Sequence, residues 1–242
     1  MENVEPIEEG RVDQVIAEIR EAPLSKLQNP YWLEYQLLPR LGFNNENLSV
    51  FPEELYPWCG YGVKSWQLPS QFSKYLVYLS SKQIHSYLEI GCRHGGTFII
   101  TLEYLKRFNK ISFACGLDIE HSPIMAEYAK YEPLVTYELI SSNSVEGRLL
   151  IQERDWDLVL IDGNHNFPAC LIDYMTVRDH SGIIVLHDII NHECPVVKAM
   201  WDSIRIFVPE KYRIEIVDQY ESLFKKTGNQ YFGIGLLDFN KK

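Results

Sequence analysis

Two stretches of this 242-residue chain set acids and histidines where they could do chemistry: Leu158-Val-Leu-Ile-Asp-Gly-Asn-His165 and Gly182-Ile-Ile-Val-Leu-His-Asp188. In each, four apolar residues run straight into polar ones, as a buried strand does on reaching the edge of a sheet. An ionised Asp162 at such an end needs a partner, because burying a charge unpaired is costly. His165, one loop turn later, titrates near neutral pH and can reach the same cavity; capping the next helix is the other use of that position. Adjacent strands lie about 4.8 Å apart, so Asp162 and Asp188 repel unless a cation, a proton or a base lies between them. Two carboxylates with histidines nearby suit a hard metal, and oxygen ligands with open water positions favour Mg²⁺. A metal-free hydrogen-bond network with His187 or His165 as counter-ion uses the same residues. His165 is the better base, since it follows Gly163 on a loop. His187 sits in the strand end, where packing or ligation is the natural duty.

A third stretch, Tyr87-Leu-Glu-Ile-Gly-Cys-Arg-His-Gly-Gly-Thr97, reads as a strand, a glycine turn and the first turn of a helix. Gly91, Gly95 and Gly96 let the backbone turn tightly and bring a ligand close to main-chain N–H groups. A dinucleotide fingerprint needs a glycine two residues after Gly91. Arg93 stands there, followed by His94, so the turn suits a ligand without a pyrophosphate and disfavours a nicotinamide-dependent oxidoreductase. Glu89, just before the turn, suits a ligand carrying positive charge. A plain strand-to-helix connection is the alternative.

Downstream, Asp118 in Cys115-Gly-Leu-Asp-Ile-Glu120 ends another expected strand. Its two oxygens match a ribose diol, with Ile119 beside it. Glu120 competes for that role, and a charge at a helix start is the structural use. The Ser141-Ser-Asn-Ser144 turn, with Asn143 and Ser144, can meet an adenine or simply cap a helix.

The elements that must position these residues alternate along the chain, the pattern of a parallel sheet covered on both faces. Helix Leu68–Leu79 leads into strands at Tyr87–Ile90, Ser112–Ile119, Val135–Ile140, Asp157–Ile161 and Gly182–His187. The expected helices between and after them are 98–105, Pro123–Lys130, Val145–Glu153, Ala169–Val177 and Val196–Phe207. The tail, Arg213–Val217 and Tyr231–Leu237, reads as two strands joined through Thr227-Gly228-Asn229 with no long helix between. Residues 1–65 form a helical appendage: an amphipathic helix carrying Val12, Val15, Ile16 and Ile19, a second over Tyr31–Leu41, and an aromatic loop from Gly42 to Val63. That loop either covers a pocket or straps the surface.

Net charge is −10, and no Lys/Arg run breaks it, so nucleic acid and anionic membranes are poor partners. Five cysteines without a C-x-x-C pair fit a reduced, cytoplasmic protein. The first ten residues are acidic and lack an apolar signal region, and no apolar run reaches transmembrane length.

Glu89-x-Gly-x-x-x-Gly-Gly96 resembles the first motif of class I S-adenosylmethionine-dependent methyltransferases. Asp162-Gly-Asn-His165, then a helix, then Ser181-Gly-Ile-Ile-Val-Leu-His-Asp188 looks like the family containing the cephalosporin hydroxylase-like proteins. It is also similar to magnesium-dependent sugar O-methyltransferases. The likeness covers roughly residues 66–238, including Trp66-Gln-Leu-Pro69, which resembles the family's Gln-x-Pro approach to the cofactor and brings in Gln67. It implies a Rossmann-like α/β sheet of seven strands, mostly parallel with an antiparallel terminal strand, over residues 66–242. It also implies S-adenosylmethionine as cofactor, held through Gln67, Glu89, Gly91, Arg93, His94, Gly95, Gly96, Asp118, Ile119, Asn143, Ser144 and Asp162. The resemblance makes His165 the base and Asp162, His187 and Asp188 the Mg²⁺ ligands, although the relatives carry an acidic pair where this chain has His187-Asp188. The expected reaction is methylation of a hydroxyl on a small molecule, a sugar or a secondary metabolite. An S-adenosylmethionine-binding module without catalysis is the alternative of another class, and homo-oligomerisation stays open.

Overall fold

Strands buried on both faces need apolar side chains pointing both ways, and the chain supplies them in alternation. The computed structural model describes residues 4–240. Its strands are β1 (Ser86–Ile90), β2 (Phe113–Asp118), β3 (Val135–Leu139), β4 (Trp156–Ile161), β5 (Ser181–Leu186), β6 (Arg213–Ile216) and β7 (Ile234–Asp238). They form one seven-stranded sheet in the order β3-β2-β1-β4-β5-β7-β6. β1 to β5 pair in parallel, while β7 is antiparallel to both β5 and β6. Along β4, Leu158 and Leu160 join the hydrophobic cluster on one face, and Val159 and Ile161 join the cluster on the other. β5 repeats the alternation with Ile183 and Val185 against Ile184 and Leu186.

Register then decides what meets at the carboxyl edge. Ile90 pairs with both Leu117 and Ile161, and Ile161 pairs with Leu186. The next residue on each strand is therefore Gly91, Asp118, Asp162 and His187, brought side by side. The chain leaves β1 for β2 on one side and returns to β4 on the other, so the crevice of an open α/β sheet lies at this edge.

Helices Gly96–Leu105, Pro123–Tyr131, Val145–Gln152, Ala169–Val177 and Pro195–Phe207 follow β1 to β5 in turn. Helix Pro69–Ser80 precedes the sheet, and a seven-residue helix, Glu221–Thr227, fills the connection between β6 and β7 that reads as a turn. β5 ends at Leu186, so His187 stands just past the strand that was expected to contain it. β7 starts late, at Ile234, because Phe232 and Gly233 take positive φ values of 58° and 96°.

The N-terminal residues pack into the same hydrophobic cluster as β1 and the helix after it. Ile7, Val15, Ile19, Leu33, Leu37 and Phe43 share it with Tyr87 and Phe98. The helix over Pro30–Trp32, Leu33–Leu37 and Leu38–Leu41 widens to a π turn in its middle segment. Pro39 has no N–H to return to the carbonyl four residues back, and the wider turn absorbs that loss. Among the described residues, no helix is long and apolar enough to cross a membrane.

Candidate functional site

The turn after β1 is built for close backbone approach. Gly91 has φ +88°, and a Cβ there would lie 2.2 Å from the Asp162 carbonyl oxygen. Only glycine fits so tight a contact between the ends of β1 and β4. Arg93 follows with φ +48°. Its backbone N–H donates to Asp118 Oδ2 at 2.7 Å, and the Glu120 N–H donates to Asp118 Oδ1 at 2.9 Å. Asp118 thus ties the loops after β1 and β2 together, and a carboxylate with four lone-pair sites retains acceptor capacity toward the cavity it lines.

Two cavities open at this edge. The smaller, about 360 Å³, is lined by Asp118, Ile119, Glu120, Ser142, Asn143 and Asn164 among others. The larger, about 440 Å³, is lined by Trp66, Glu89, His94, His165, Cys194 and Phe232 among others. Gly91, Arg93, Asp162 and Gly163 border both, so the two join across the glycine turn. Both volumes lie in the range of small-molecule sites.

In the larger cavity the acids and histidines come together. His187 Nδ1 lies 3.0 Å from Asp162 Oδ1 and 3.5 Å from Asp188 Oδ2. His165 Nε2 lies 3.4 Å from Asp162 Oδ1 and 3.3 Å from Asp188 Oδ2, while its Nδ1 meets Cys194 Sγ at 3.4 Å. Asn191 Nδ2 donates to Asp188 Oδ1 at 2.7 Å, holding that residue at φ +63°. Strain of this kind gathers at functional sites. Burial opposes protonation of His165, but hydrogen bonds to Asp162 and Cys194 and the charges of Asp162 and Asp188 outweigh it and raise the imidazole to about 11. His187, fully buried, is raised to about 10 against the same opposition by the Asp162 and Asp188 charges. Burial favours a neutral Asp188, yet the His187 charge overrides it and holds the carboxyl well below its usual range. Two imidazolium ions therefore balance two carboxylates, and both nitrogens of His165 are engaged.

Asp162, His187 and Asp188 each offer a ligand atom within 4.8 Å of the others, and His187 Nε2 is buried without a partner. Two oxygens and an imidazole, once His187 has given up its proton, are a donor set that fits a divalent cation. His165, Asp188 and Cys194 form a second such group.

The other expected residues fall into distinct places. Glu89 lines the larger cavity but is buried, which pushes its carboxyl well above the usual range, partly offset by the Tyr87 hydroxyl bonded to it. Burial therefore works against the anion that the sequence reading expects at Glu89. Gln67 is buried and donates to Asp162 Oδ2 at 3.5 Å, lining neither cavity. Gly96 lines the larger cavity, whereas Gly95 packs on Met125 and lines neither. Ser144 caps the helix Val145–Gln152 by accepting from the Gly147 N–H at 2.9 Å. Ile119 is 75 % exposed on the rim of the smaller cavity.

Sequence reasoning missed Glu46, whose carboxylate meets Arg93 Nη2 at 2.7 Å and His94 Nε2 at 2.9 Å. It comes from the loop after Gly42, which also lends Asn47, Val50 and Lys64 to the larger cavity, as a pocket cover would. It also missed Asn191 and Cys194, although the polar run Asn191-His-Glu-Cys194 directly after His187-Asp188 is a visible signal. Asp173 was missed as well. Burial in the helix Ala169–Val177 raises its carboxyl to about 6 despite hydrogen bonds from Ser142 and Asn143.

A seven-stranded sheet in this order, with its glycine turn and acidic strand ends around one crevice, is the architecture of class I methyltransferases. Residues 88–189 match the family described as a methyltransferase domain. Among solved structures, the citrinin polyketide synthase CMeT domain superposes with a TM-score of 0.52 at 13 % identity, covering 71 % of this chain and 54 % of that one. The O-methyltransferase TomG from Streptomyces achromogenes, in complex with SAM, is 15 % identical with a TM-score of 0.49, covering 71 % and 80 %. The MycE methyltransferase from the mycinamycin biosynthetic pathway, in complex with Mg and SAH, is 17 % identical with a TM-score of 0.44, covering 74 % and 50 %. The chain spans about half the length of the first of these, at 54 %. No curated protein matches it in sequence.

Proposed function

We propose that this protein transfers the methyl group of S-adenosylmethionine to a hydroxyl of a small molecule, a sugar or a secondary metabolite. The observation that carries the reading is the His165–Asp162–Asp188 cluster in a cavity that joins the cofactor crevice through Gly91 and Asp162. Transfer is an in-line displacement at a sulfonium methyl, so the protein must align two substrates and take a proton from the attacking hydroxyl. Asp118 serves the ribose and Asn143 the adenine, while Arg93 and His94 border the turn. Gln67 supports Asp162 through its amide. His165 takes the proton. In the free protein it is an imidazolium held by two carboxylates, so it can accept a proton only after positive charge beside Asp162 offsets them and it has released its own proton to solvent. The sulfonium supplies such charge.

A divalent cation held by Asp162, His187 and Asp188, Mg²⁺ on the sequence expectation, would supply Lewis-acid polarisation of the hydroxyl. Five free cysteines support a reducing, cytoplasmic setting.

Calorimetry with S-adenosylhomocysteine and NAD tests the cofactor: the former should bind and the latter should not. Asp118→Ala should weaken S-adenosylhomocysteine by about 1.5–3 kcal/mol, the range for hydrogen bonds to a charged group. Unchanged affinity would remove Asp118 from the ribose site. Methyl release onto hydroxylated acceptors, with and without chelator, then separates an enzyme from a binding module. Binding without turnover on any acceptor supports the module.

A further inference from the structure

The smaller cavity holds a polar device that the reaction itself does not use. Asp173 is 1 % exposed, and its Oδ1 accepts a hydrogen bond from Asn143 Nδ2 at 2.7 Å. The same Nδ2 lies 3.2 Å from Ser142 Oγ. An ionised carboxylate can only accept, so the amide must turn its NH₂ toward Asp173. Both amide hydrogens are then committed within the protein. Asn143 lines the cavity, and the one polar atom of its side chain not committed to Asp173 or Ser142 is the acceptor Oδ1. The other Asp173 oxygen, Oδ2, is buried without a partner and would lie 3.6 Å from a Cβ on Gly163, a residue that also lines the cavity.

We propose that Asp173 is a positioning residue that locks the Asn143 amide with its oxygen toward the cavity, so that the cavity selects a purine carrying a 6-amino group over one carrying a 6-oxo group. The inference rests on reading the smaller cavity as the nucleoside end of the cofactor site. A 6-amino group donates to Oδ1. A 6-oxo group sets one acceptor against another and leaves both unpaired, which is the strongest basis for discrimination between near-isosteres. The lock has a built-in release. A protonated Asp173 can donate to Asn143 Oδ1, and the amide then turns its NH₂ outward. No charged side chain faces Asp173 among the described residues; Ser142, Asn143, Gly163 and, from its own helix, the Cys170 thiol are the groups around it, the thiol being pushed up by burial and by Asp173, and burial holds the Asp173 carboxyl near 6.

The test compares dissociation constants of S-adenosylhomocysteine and its hypoxanthine analogue, in which a 6-oxo group replaces the 6-amino group. At pH 7.5, about one hydrogen bond's worth of selectivity, roughly 10- to 100-fold, should favour the adenine compound. Asp173→Ala should cut that ratio to within about threefold, mainly by improving the analogue's affinity, because the amide becomes free to turn. Asp173→Asn, isosteric and unable to ionise, should lower the ratio too, and it carries the test if the alanine variant does not fold. In the wild type the ratio should shrink as pH falls through 6, and in Asp173→Ala it should stay flat. A variant that weakens both nucleosides equally, leaving the ratio and its pH dependence intact, would show a merely structural role and overturn the proposal. Equal wild-type affinities overturn it as well. A wild type that binds neither nucleoside overturns the cofactor reading itself and this inference with it.

Discussion

His165 shows how far a residue's chemistry depends on its company. A free imidazole would be a ready base at neutral pH. Here Asp162 and Asp188 hold its proton, and Cys194 occupies the remaining nitrogen. The proposed role is therefore conditional on a bound positive charge. His165→Ala should lower turnover by roughly 10²- to 10⁴-fold, the contribution of a positioned proton acceptor, with S-adenosylhomocysteine affinity nearly unchanged. His165→Gln keeps a hydrogen bond without accepting the proton, and it should be almost as poor. Near-normal turnover in both variants, with loss in His187→Ala, would exchange the roles of the two histidines.

At the scale of elements, the glycine turn is the joint between β1 and β4. Gly91 and Gly228 share a positive φ, +88° and +70°, but only Gly91 has a neighbour in the way. Gly228→Ala should cost about 1–2 kcal/mol, the price of a left-handed backbone with a Cβ, and leave ligand binding alone. Gly91→Ala must in addition push back the Asp162 carbonyl, 2.2 Å away. It should cost more stability and also weaken S-adenosylhomocysteine binding, because Asp162 borders both cavities. Denaturant unfolding and calorimetry on the two variants separate backbone strain from displacement of the site. Equal losses in both assays would mean that the β1–β4 joint has slack. The sequence marks this turn clearly, since three glycines in six residues follow an apolar strand. It does not reveal that the glycine is required by Asp162, which stands just past the end of another strand 71 residues on.

Across the whole molecule, the buried histidines link stability to pH. Below pH 6.5 the folded and unfolded chains both hold the protons of His165 and His187; above it only the folded chain does, until pH passes their raised values of about 10 to 11. The stability they contribute is thus complete below pH 6.5 and is lost as pH climbs toward 10. Asp188 works from the acid side: its lowered value means a contribution present above pH 3.8 and lost as pH falls well below that. The denaturation midpoint of the ligand-free protein should therefore fall steadily from about pH 6.5 to 10. In His187→Gln that slope should flatten. A wild-type midpoint that is level across the window would show that these histidines are neutral in the folded protein. The N-terminal residues belong to this scale too, for Glu46 and the 3₁₀ turn Leu48–Val50 reach the site only because Ile7, Val15 and Phe43 are buried with β1.

What the sequence determined by itself is local and periodic. Apolar runs ending in Asp162 and His187 announce strands of a sheet covered on both faces, because only burial on both sides tolerates such runs. The glycine turn and Asp118 carry the proposed nucleoside site, because close approach and a diol call for those residue types. Tertiary structure decided the rest, and each case involves partners far apart in the chain. The pairing of Ile90 with Ile161 and of Ile161 with Leu186 set Gly91, Asp162 and His187 side by side. Burial pushed the Glu89 carboxyl upward, while the neighbouring carboxylates raised His165 and His187 against the effect of burial. Helix packing brought Asp173 to Asn143, 30 residues earlier, and Cys194 to His165, 29 residues earlier. Residue type and period are written along one segment. Proton affinity, ligand sets and amide orientation are properties of an environment, and that environment exists only once distant segments have excluded water from one another.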